Sequence, residues 1–203
     1  MSKKEITIIC VAYKRYKNIH VLINSFLCQT LDNWKLLIIH DGPDSVMQEI
    51  LKKYADENDN IDYMFTDVRY NDYGHTLRDM GIQKSDTEYL MLTNDDNYYV
   101  PVFLEYMFKS IHANKLDFAL CNMIHSHNNP GVYFQQPYEL FKSFPKKNYI
   151  DVGNFIVRTS IAKEVGFNDR SFDADGTFVD EIMHRYTGKI RIGKLDNVLY
   201  VHN

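Results

Sequence analysis

Ile6-Thr7-Ile8-Ile9-Cys10-Val11-Ala12 is an apolar run broken only by Thr7, with no regular polar alternation. A strand with one wet face alternates; a continuous apolar run of this length reads as a strand covered on both faces. The polar turn around residues 14–17 follows, and Asn18 stands where it can cap a helix carrying Ile19, Ile23, Phe26 and Leu27 on one face. Residues 36–39 form a second apolar run that ends abruptly at His40-Asp41-Gly42-Pro43-Asp44. Strand, helix, strand within about forty residues is a βαβ unit, and the rest of the chain extends it.

Val46, Ile50 and Tyr54 recur at four-residue spacing and predict a second helix before a short strand at 61–65. A weaker helix is expected over 74–82 with Leu77 facing inward, then a strand at 88–92 broken by Thr93-Asn94-Asp95-Asp96-Asn97. Pro101 suits a first helical turn, with Leu104, Met107, Phe108 and Ile111 on one stripe, and 117–124 reads as a fifth strand. The alternation predicts an α/β, Rossmann-like fold: a mostly parallel sheet with helices on both faces. Residues 126–147 change to Asn, Pro, Gly, Lys and aromatics and read as a long substrate-side loop. A strand at 152–157, helices at 160–165 and 178–186, and a last strand at 198–201 complete the expectation of one domain over 1–203.

Composition excludes several classes. Lys plus Arg total 23 against 27 Asp plus Glu, and this −4 balance, with no basic tract, argues against sequence-independent nucleic-acid binding. No run of about 18 apolar residues is present, so no spanning helix is expected, and the amino terminus lacks the apolar segment of a secretory signal. Cys10, Cys28 and Cys121 form no CxxC pair and read as buried, reduced thiols in a cytoplasmic protein.

In a parallel α/β sheet, ligands bind beyond the carboxyl ends of the strands. Asp41, the Asp95-Asp96 pair and Asp151 lie near such ends. Asp-Gly and Asn-Asp also simply make turns, and for Asp41 and Asp44 the two readings stand level. Adjacent carboxylates repel unless a cation or donors compensate, and such hard oxygens suit Mg2+ or Mn2+ shared with substrate phosphates. A solvated loop ahead of the Pro101 helix is the bland alternative. His125-Ser126-His127 lacks further spaced ligands and reads as surface or acceptor pocket, and Tyr98-Tyr99 as partly packed and partly lining an acceptor entrance.

These residues bring out a resemblance to the family 2 glycosyltransferases of the GT-A fold, over nearly the whole chain. Residues 6–13 resemble that family's first strand and Tyr-containing turn, and Ser25-Phe26-Leu27-Cys28-Gln29-Thr30 its Ser-x-x-x-Gln-Thr. Residues 37–42 stand where the family has an apolar strand and Asp-Asp-Gly, with His40 in place of the first Asp. Asn71, Gly74, Arg78 and Gly81 match Asn-x-x-Gly-x-x-x-Arg-x-x-Gly, though Asp79 replaces an Asn. Residues 89–97 fall on the metal-binding Asp-x-Asp segment, with Thr93 in its first place as in spore-coat-type members.

The resemblance implies a single GT-A domain, with residues 1–125 as a nucleotide-sugar-binding half and 126–203 as an acceptor-side half. It implies that Ala12 and Tyr13 pack against the base, that Asp41 accepts from it, and that Arg15 and Arg78 lie by the nucleotide or diphosphate. Asp95 would hold the ribose or a water on the metal, and Asp96 with His202 the Mn2+ or Mg2+ ion. The family's base belongs to an acidic pair opening a helix after Gly166-Phe167-Asn168; Asp180 matches best, with Asp173 and Asp175 as rivals on the preceding loop. For Asp180-Glu181 the plain reading is first-turn residues serving the helix dipole, and for His202 a frayed surface side chain.

The expected activity is an inverting, metal-dependent transfer from a nucleotide-diphosphate sugar, UDP-linked by preference, to an acceptor hydroxyl in bacterial surface glycan synthesis. The partners implied are that donor and a glycan or lipid-linked glycan acceptor, the latter drawing the enzyme to the inner face of the membrane. A degenerate nucleotide-sugar-binding module is the alternative that Thr93 and His40 favour. A sugar-1-phosphate nucleotidyltransferase would need a Gly-rich loop after the first strand, and residues 11–17 contain no Gly.

Overall fold

Strand β1 (Ile6–Ala12) lies inside a nine-stranded sheet, and each of its seven residues is buried. Its side chains part by alternation: Ile6, Ile8, Cys10 and Ala12 enter the core on one face, Ile9 and Val11 the core on the other. Two dry faces are why this segment reads as an unbroken apolar run. The computed structural model describes residues 4–125 and 138–203; Ser126 and His127, and most of the expected 126–147 loop, lie outside the described residues.

β1 pairs in parallel with β2 (Trp34–His40) and β4 (Tyr89–Asn94), and β2 with β3 (Ile61–Phe65). Helices α1 (Asn18–Leu27), α2 (Ser45–Glu57) and α4 (Phe103–Asn114) cover one face, through Ile23, Phe26, Met47, Leu51, Leu104 and Met107 among others. The other face is covered by α3 (His75–Lys84), α5 (Thr159–Val165) and α6 (Ala174–Arg185), through Leu77, Ile161, Phe178 and Ile182. Helices on both faces agree with the sequence reading.

Beyond β4 the sheet turns mixed. β8 (Phe155–Arg158) runs antiparallel to β4 and to β6 (Phe118–His125), while β9 (Ile192–His202) runs parallel to β6. Two short strands, β5 (Tyr98–Tyr99) and β7 (Glu139–Phe141), pair antiparallel with β9 and β6. The expectation of a mostly parallel sheet therefore holds, through β1 to β4 and again in the β6–β9 pair, with β5, β7 and β8 running antiparallel to their neighbours.

Local expectations shift for physical reasons. Lys17, not Asn18, takes the cap position of α1, without a side-chain cap bond. The fully buried positions of α2 are Met47 and Leu51; of the expected stripe, Ile50 and Tyr54 pack partly buried against the same core and Val46 is left exposed. Asp44 fixes that helix start by accepting from the Met47 N–H at 2.8 Å. Cys28 is exposed, whereas Cys10 and Cys121 are buried as expected.

Two glycines set how closely α3 approaches β1. A Cβ on Gly81 would stand 2.4 Å from Ile9 Cγ2, and one on Gly74, at φ +81, would stand 2.8 Å from Val11 Cγ2. The spacing Gly74 to Gly81 thus seats α3 on β1 and carries Arg78 to the strand's carboxyl end.

Candidate active site

The carboxyl ends of β1, β2 and β4 lie side by side, with Ala12 opposite His40 and Val11 opposite Asn94. Beyond them opens a cleft of about 1240 Å³. Ala12, Tyr13, Arg15, Asp41, Arg78, Asp95 and His202 all line it, from parts of the chain far apart in sequence.

Asp95 is nearly buried and accepts from the Tyr13 backbone N–H at 3.1 Å and from Arg15 Nη1 at 3.0 Å. The same guanidinium nitrogen reaches Asp96 Oδ2 at 2.6 Å, so Arg15 offsets part of the pair's negative charge. Burial pushes Asp95 up to about 6, with Arg15 opposing and Asp96 adding to the rise. Burial likewise raises Asp96, against the pull of Arg15 and His202.

Asp41 is committed to its own loop. Its two oxygens accept from the Tyr70 and Asn71 backbone N–H groups at 2.7 and 3.0 Å, which ties the 69–74 turn to the end of β2. Arg69 from that turn lies 3.9 Å above the Tyr13 ring and donates to Asn71 Oδ1 at 2.6 Å. His40 is wholly buried and also tethers loops. The Lys14 N–H donates to its Nε2 at 3.2 Å, so Nδ1 carries the hydrogen facing the Gly42 carbonyl at 2.7 Å. In place of the family's Asp, His40 joins two turns and leaves the cleft to Asp41.

Thr93 is also fully buried, and its hydroxyl accepts from Tyr99 at 2.8 Å and Asn97 at 3.3 Å. It does not border the cleft. Tyr99 is buried in the core and Tyr98 is exposed on β5; neither lines the cleft, against the acceptor-entrance reading.

Arg78 is 3% exposed, and among the described residues no carboxylate lies within ion-pair distance of it. It donates to Asn94 Oδ1 at 2.6 Å, to the Tyr73 carbonyl at 2.8 Å and to His75 Nδ1 at 2.9 Å, while its Nε–H has no partner among the described residues. Desolvation lowers its pKa. The charges of Asp175 and Asp151 act on it only from beyond ion-pair distance, so an anion in direct contact would relieve the cost of its burial.

The acidic helix start needs correction. α6 begins at Ala174, four residues earlier than expected, so Asp180 lies well inside the helix and accepts from the Lys147 N–H at 2.9 Å. It lines a separate depression with Lys147, Thr177, Glu181, His184 and Arg185. Asp175 occupies the first turn and lines the main cleft. Burial and then the charge of Asp151 push Asp175 up to about 6.

Asp151 accepts from Tyr200 at 2.7 Å and from the Gly153 N–H at 2.8 Å, and lies 3.5 Å from His202 Nε2. His202 is therefore fixed at the cleft rather than frayed, and it stacks on His125 with ring centroids 4.3 Å apart. Its Nδ1 is buried and has no hydrogen-bond partner among the described residues. The Asp96 carboxylate is a hard oxygen donor of the kind that suits Mn2+ or Mg2+. Among the described residues no three His, Cys, Asp or Glu side chains converge to hold an ion by themselves.

Sequence reasoning missed Arg69, His75 and Asn94 as site residues. Asn94 sits beside a marked acidic pair, and its place on a strand end could have found it. Arg69 and His75 enter through packing between distant segments, which leaves no local pattern.

The glycosyl transferase family 2 profile matches residues 7–176. EpsH of Bacillus subtilis is 22% identical over 152 residues, 74% of this chain and 43% of that protein. The glycosyltransferase GlyA of Streptococcus pneumoniae is 22% identical over 151 residues, 74% of this chain and 21% of that protein. The chain thus spans less than half the length of these curated relatives. The S. aureus TarS 1–349 structure in complex with UDP has a TM-score of 0.76 at 19% identity, over 98% of this chain and 60% of that one. The mannosyltransferase PcManGT from Pyrobaculum calidifontis, in complex with GDP-Man and Mn2+, has a TM-score of 0.72 at 11% identity, over 100% of this chain and 57% of that one. Likeness at these identities establishes the GT-A fold.

Proposed function

This chain belongs to glycosyl transferase family 2, and on that footing we propose that it transfers a sugar from a nucleotide-diphosphate donor to an acceptor hydroxyl with inversion. The observation that carries the proposal is Arg78, a buried cation without a carboxylate partner, set in a cleft at the strand ends. A diphosphate in the cleft would supply an anion in direct contact, where Asp175 and Asp151 act only from further away. UDP is the preferred nucleotide, supported by the TarS complex with UDP, and a bacterial surface glycan or its lipid-linked precursor is the proposed acceptor.

Asp175 is the proposed base. It shares the cleft with Arg78, and at about 6 it is mostly ionised at neutral pH yet basic enough to accept a proton. The acceptor oxygen bonds to the anomeric carbon as the sugar–phosphate bond breaks; the hydroxyl proton passes to Asp175 and the electron pair leaves with the nucleoside diphosphate. Arg78 and Arg15 hold charge near the leaving group, and Tyr13 with Asp41 and its tethered turn shapes the base wall. Asp96 and His202 would hold a divalent cation, whose positive charge stabilises the departing diphosphate when bound. Asp95 keeps the 13–15 turn in place through two hydrogen bonds.

The test measures thermal stabilisation by UDP and GDP with and without Mn2+, followed by donor turnover. UDP stabilisation that grows with Mn2+, with turnover lost in Asp175→Asn, is expected. No stabilisation by either nucleotide would sink the proposal. Binding with no turnover under any acceptor would leave a nucleotide-sugar-binding module instead.

A further inference from the structure

Two aromatic rings stand together at the cleft. Tyr73 is 65% exposed and Phe172 74% exposed, and they meet edge to face with centroids 5.8 Å apart. Both line the cleft that holds Arg78 and Asp175. Tyr73 comes from the turn before α3 and Phe172 from the loop before α6, so donor-side and acceptor-side segments meet in this pair. Tyr73 adopts φ +60, a left-handed backbone that bulky side chains rarely take. Behind it the His75 ring lies 5.8 Å from Tyr73 and 5.3 Å from Phe167, which joins the exposed pair to the packed wall.

Exposed aromatic area of this kind, rimmed by polar groups, marks a binding surface. The rim is a guide to the occupant. Asp72 faces Arg170 at 3.4 Å and Asp173 faces Lys147 at 2.7 Å, while Asp169 adds a further carboxylate. Carboxylates outnumber cations there, which disfavours a phosphate-bearing ring. The nucleobase wall is separate, because Tyr13 stacks on His40 and carries Arg69. Phe172 precedes the proposed base Asp175 by three positions, so a ligand on the pair sits on the acceptor side.

The geometry points to the Tyr73–Phe172 pair as a platform for an uncharged sugar ring of the acceptor, whose C–H face covers the aromatic surface. This rests on the transferase reading for its role in the reaction, but saccharide binding can be measured without turnover.

The experiment uses saturation-transfer NMR on the full chain with cellobiose, lactose and chitobiose as probes, beside UDP-induced thermal shifts. At least one disaccharide is expected to receive saturation, with affinity lowered about ten-fold in Phe172→Ala and restored in Phe172→Trp. The UDP shift of Phe172→Ala should equal that of the unaltered chain, which a merely unfolded variant could not achieve. The proposal is overturned if no disaccharide binds, if Phe172→Ala binds as before, or if both ligands are lost together. Phe172-dependent sedimentation with phosphatidylglycerol vesicles, without disaccharide binding, would overturn it in favour of a membrane contact. Disaccharide binding without any UDP shift would uphold the platform and defeat the transferase reading.

Discussion

His75 accepts a hydrogen bond from Arg78, Nη1 to Nδ1 at 2.9 Å, and its opposite ring nitrogen lies 2.8 Å from the Ser171 carbonyl. A guanidinium only donates, so Nδ1 must accept and Nε2 must carry the hydrogen given to Ser171. The imidazole in this tautomer is neutral. It links Arg78 to the loop that carries Phe172 and leads into Asp175.

Protonating His75 would set two cations face to face and break the bond to Arg78. Burial and then the Arg78 charge lower its pKa from the ordinary value. The native state therefore binds fewer protons than the unfolded chain, and this group's stability contribution is complete above about pH 6.5 and lost as pH falls through the lowered value. The limiting slope is about 1.4 kcal/mol per pH unit. Asp95 and Asp175, raised to about 6, act in the opposite sense, so the comparison must be with His75→Gln. Urea unfolding of the two chains from pH 5 to 8 should show the variant's acid loss flattened. Parallel curves would exclude the neutral-imidazole assignment.

Asp175 predicts the pH dependence of turnover. Raised to about 6, it is protonated and useless as a base below that pH, so kcat should climb through about pH 6 and level off above it. Asp175→Asn should lower kcat by about 10²- to 10⁴-fold with UDP stabilisation intact. Asp180→Ala removes the acceptor of the Lys147 N–H and should lower Tm while preserving the pH profile. An Asp180→Asn variant that folds normally yet loses turnover would transfer the role to Asp180.

The two carboxylates also show where the sequence was legible. β1 and β4 are buried on both faces and α3 carries glycines at its contact with β1, so their patterns are strong and the residues at their ends fall into place. The later half lacks such signals. β5 and β7 have two and three residues, too few for any period to register. β9 reads as polar through Lys194, Asp196 and Asn197, yet eleven residues of it pair or bulge along β6. Asp173-Ala174-Asp175-Gly176 looks like a turn, and Asp173 makes no side-chain cap bond; burial of Ala174 and Phe178, with the Gly176 N–H donated to Asp175 Oδ1 at 2.7 Å, sets the helix start at Ala174.

Gly81→Ala tests the seat of α3 on β1. Helix propensity alone would favour alanine by about 1 kcal/mol. Against that, the new Cβ would stand 2.4 Å from Ile9 Cγ2, and Ile9 is fully buried on the central strand. Overpacking of this kind costs about 1–3 kcal/mol, so net destabilisation should win and appear as a lower urea midpoint with an unchanged m-value. A midpoint that rises would mean that Ile9 yields freely.

Arg15 and a divalent cation compete for the same acid. Arg15 reaches Asp96 at 2.6 Å and Asp95 at 3.0 Å, although half of its own side chain is exposed. Any cation held by Asp96 must weaken that contact, so Arg15→Ala should bind Mn2+ alone more tightly, while Asp96→Ala should lose binding. Titration of free Mn2+ by electron paramagnetic resonance reads both without a nucleotide. Removing Arg15 also removes positive charge beside the diphosphate, so UDP stabilisation without metal should fall in the same variant. Equal Mn2+ affinity in Asp96→Ala and the unaltered chain would show that Asp96 is not a ligand.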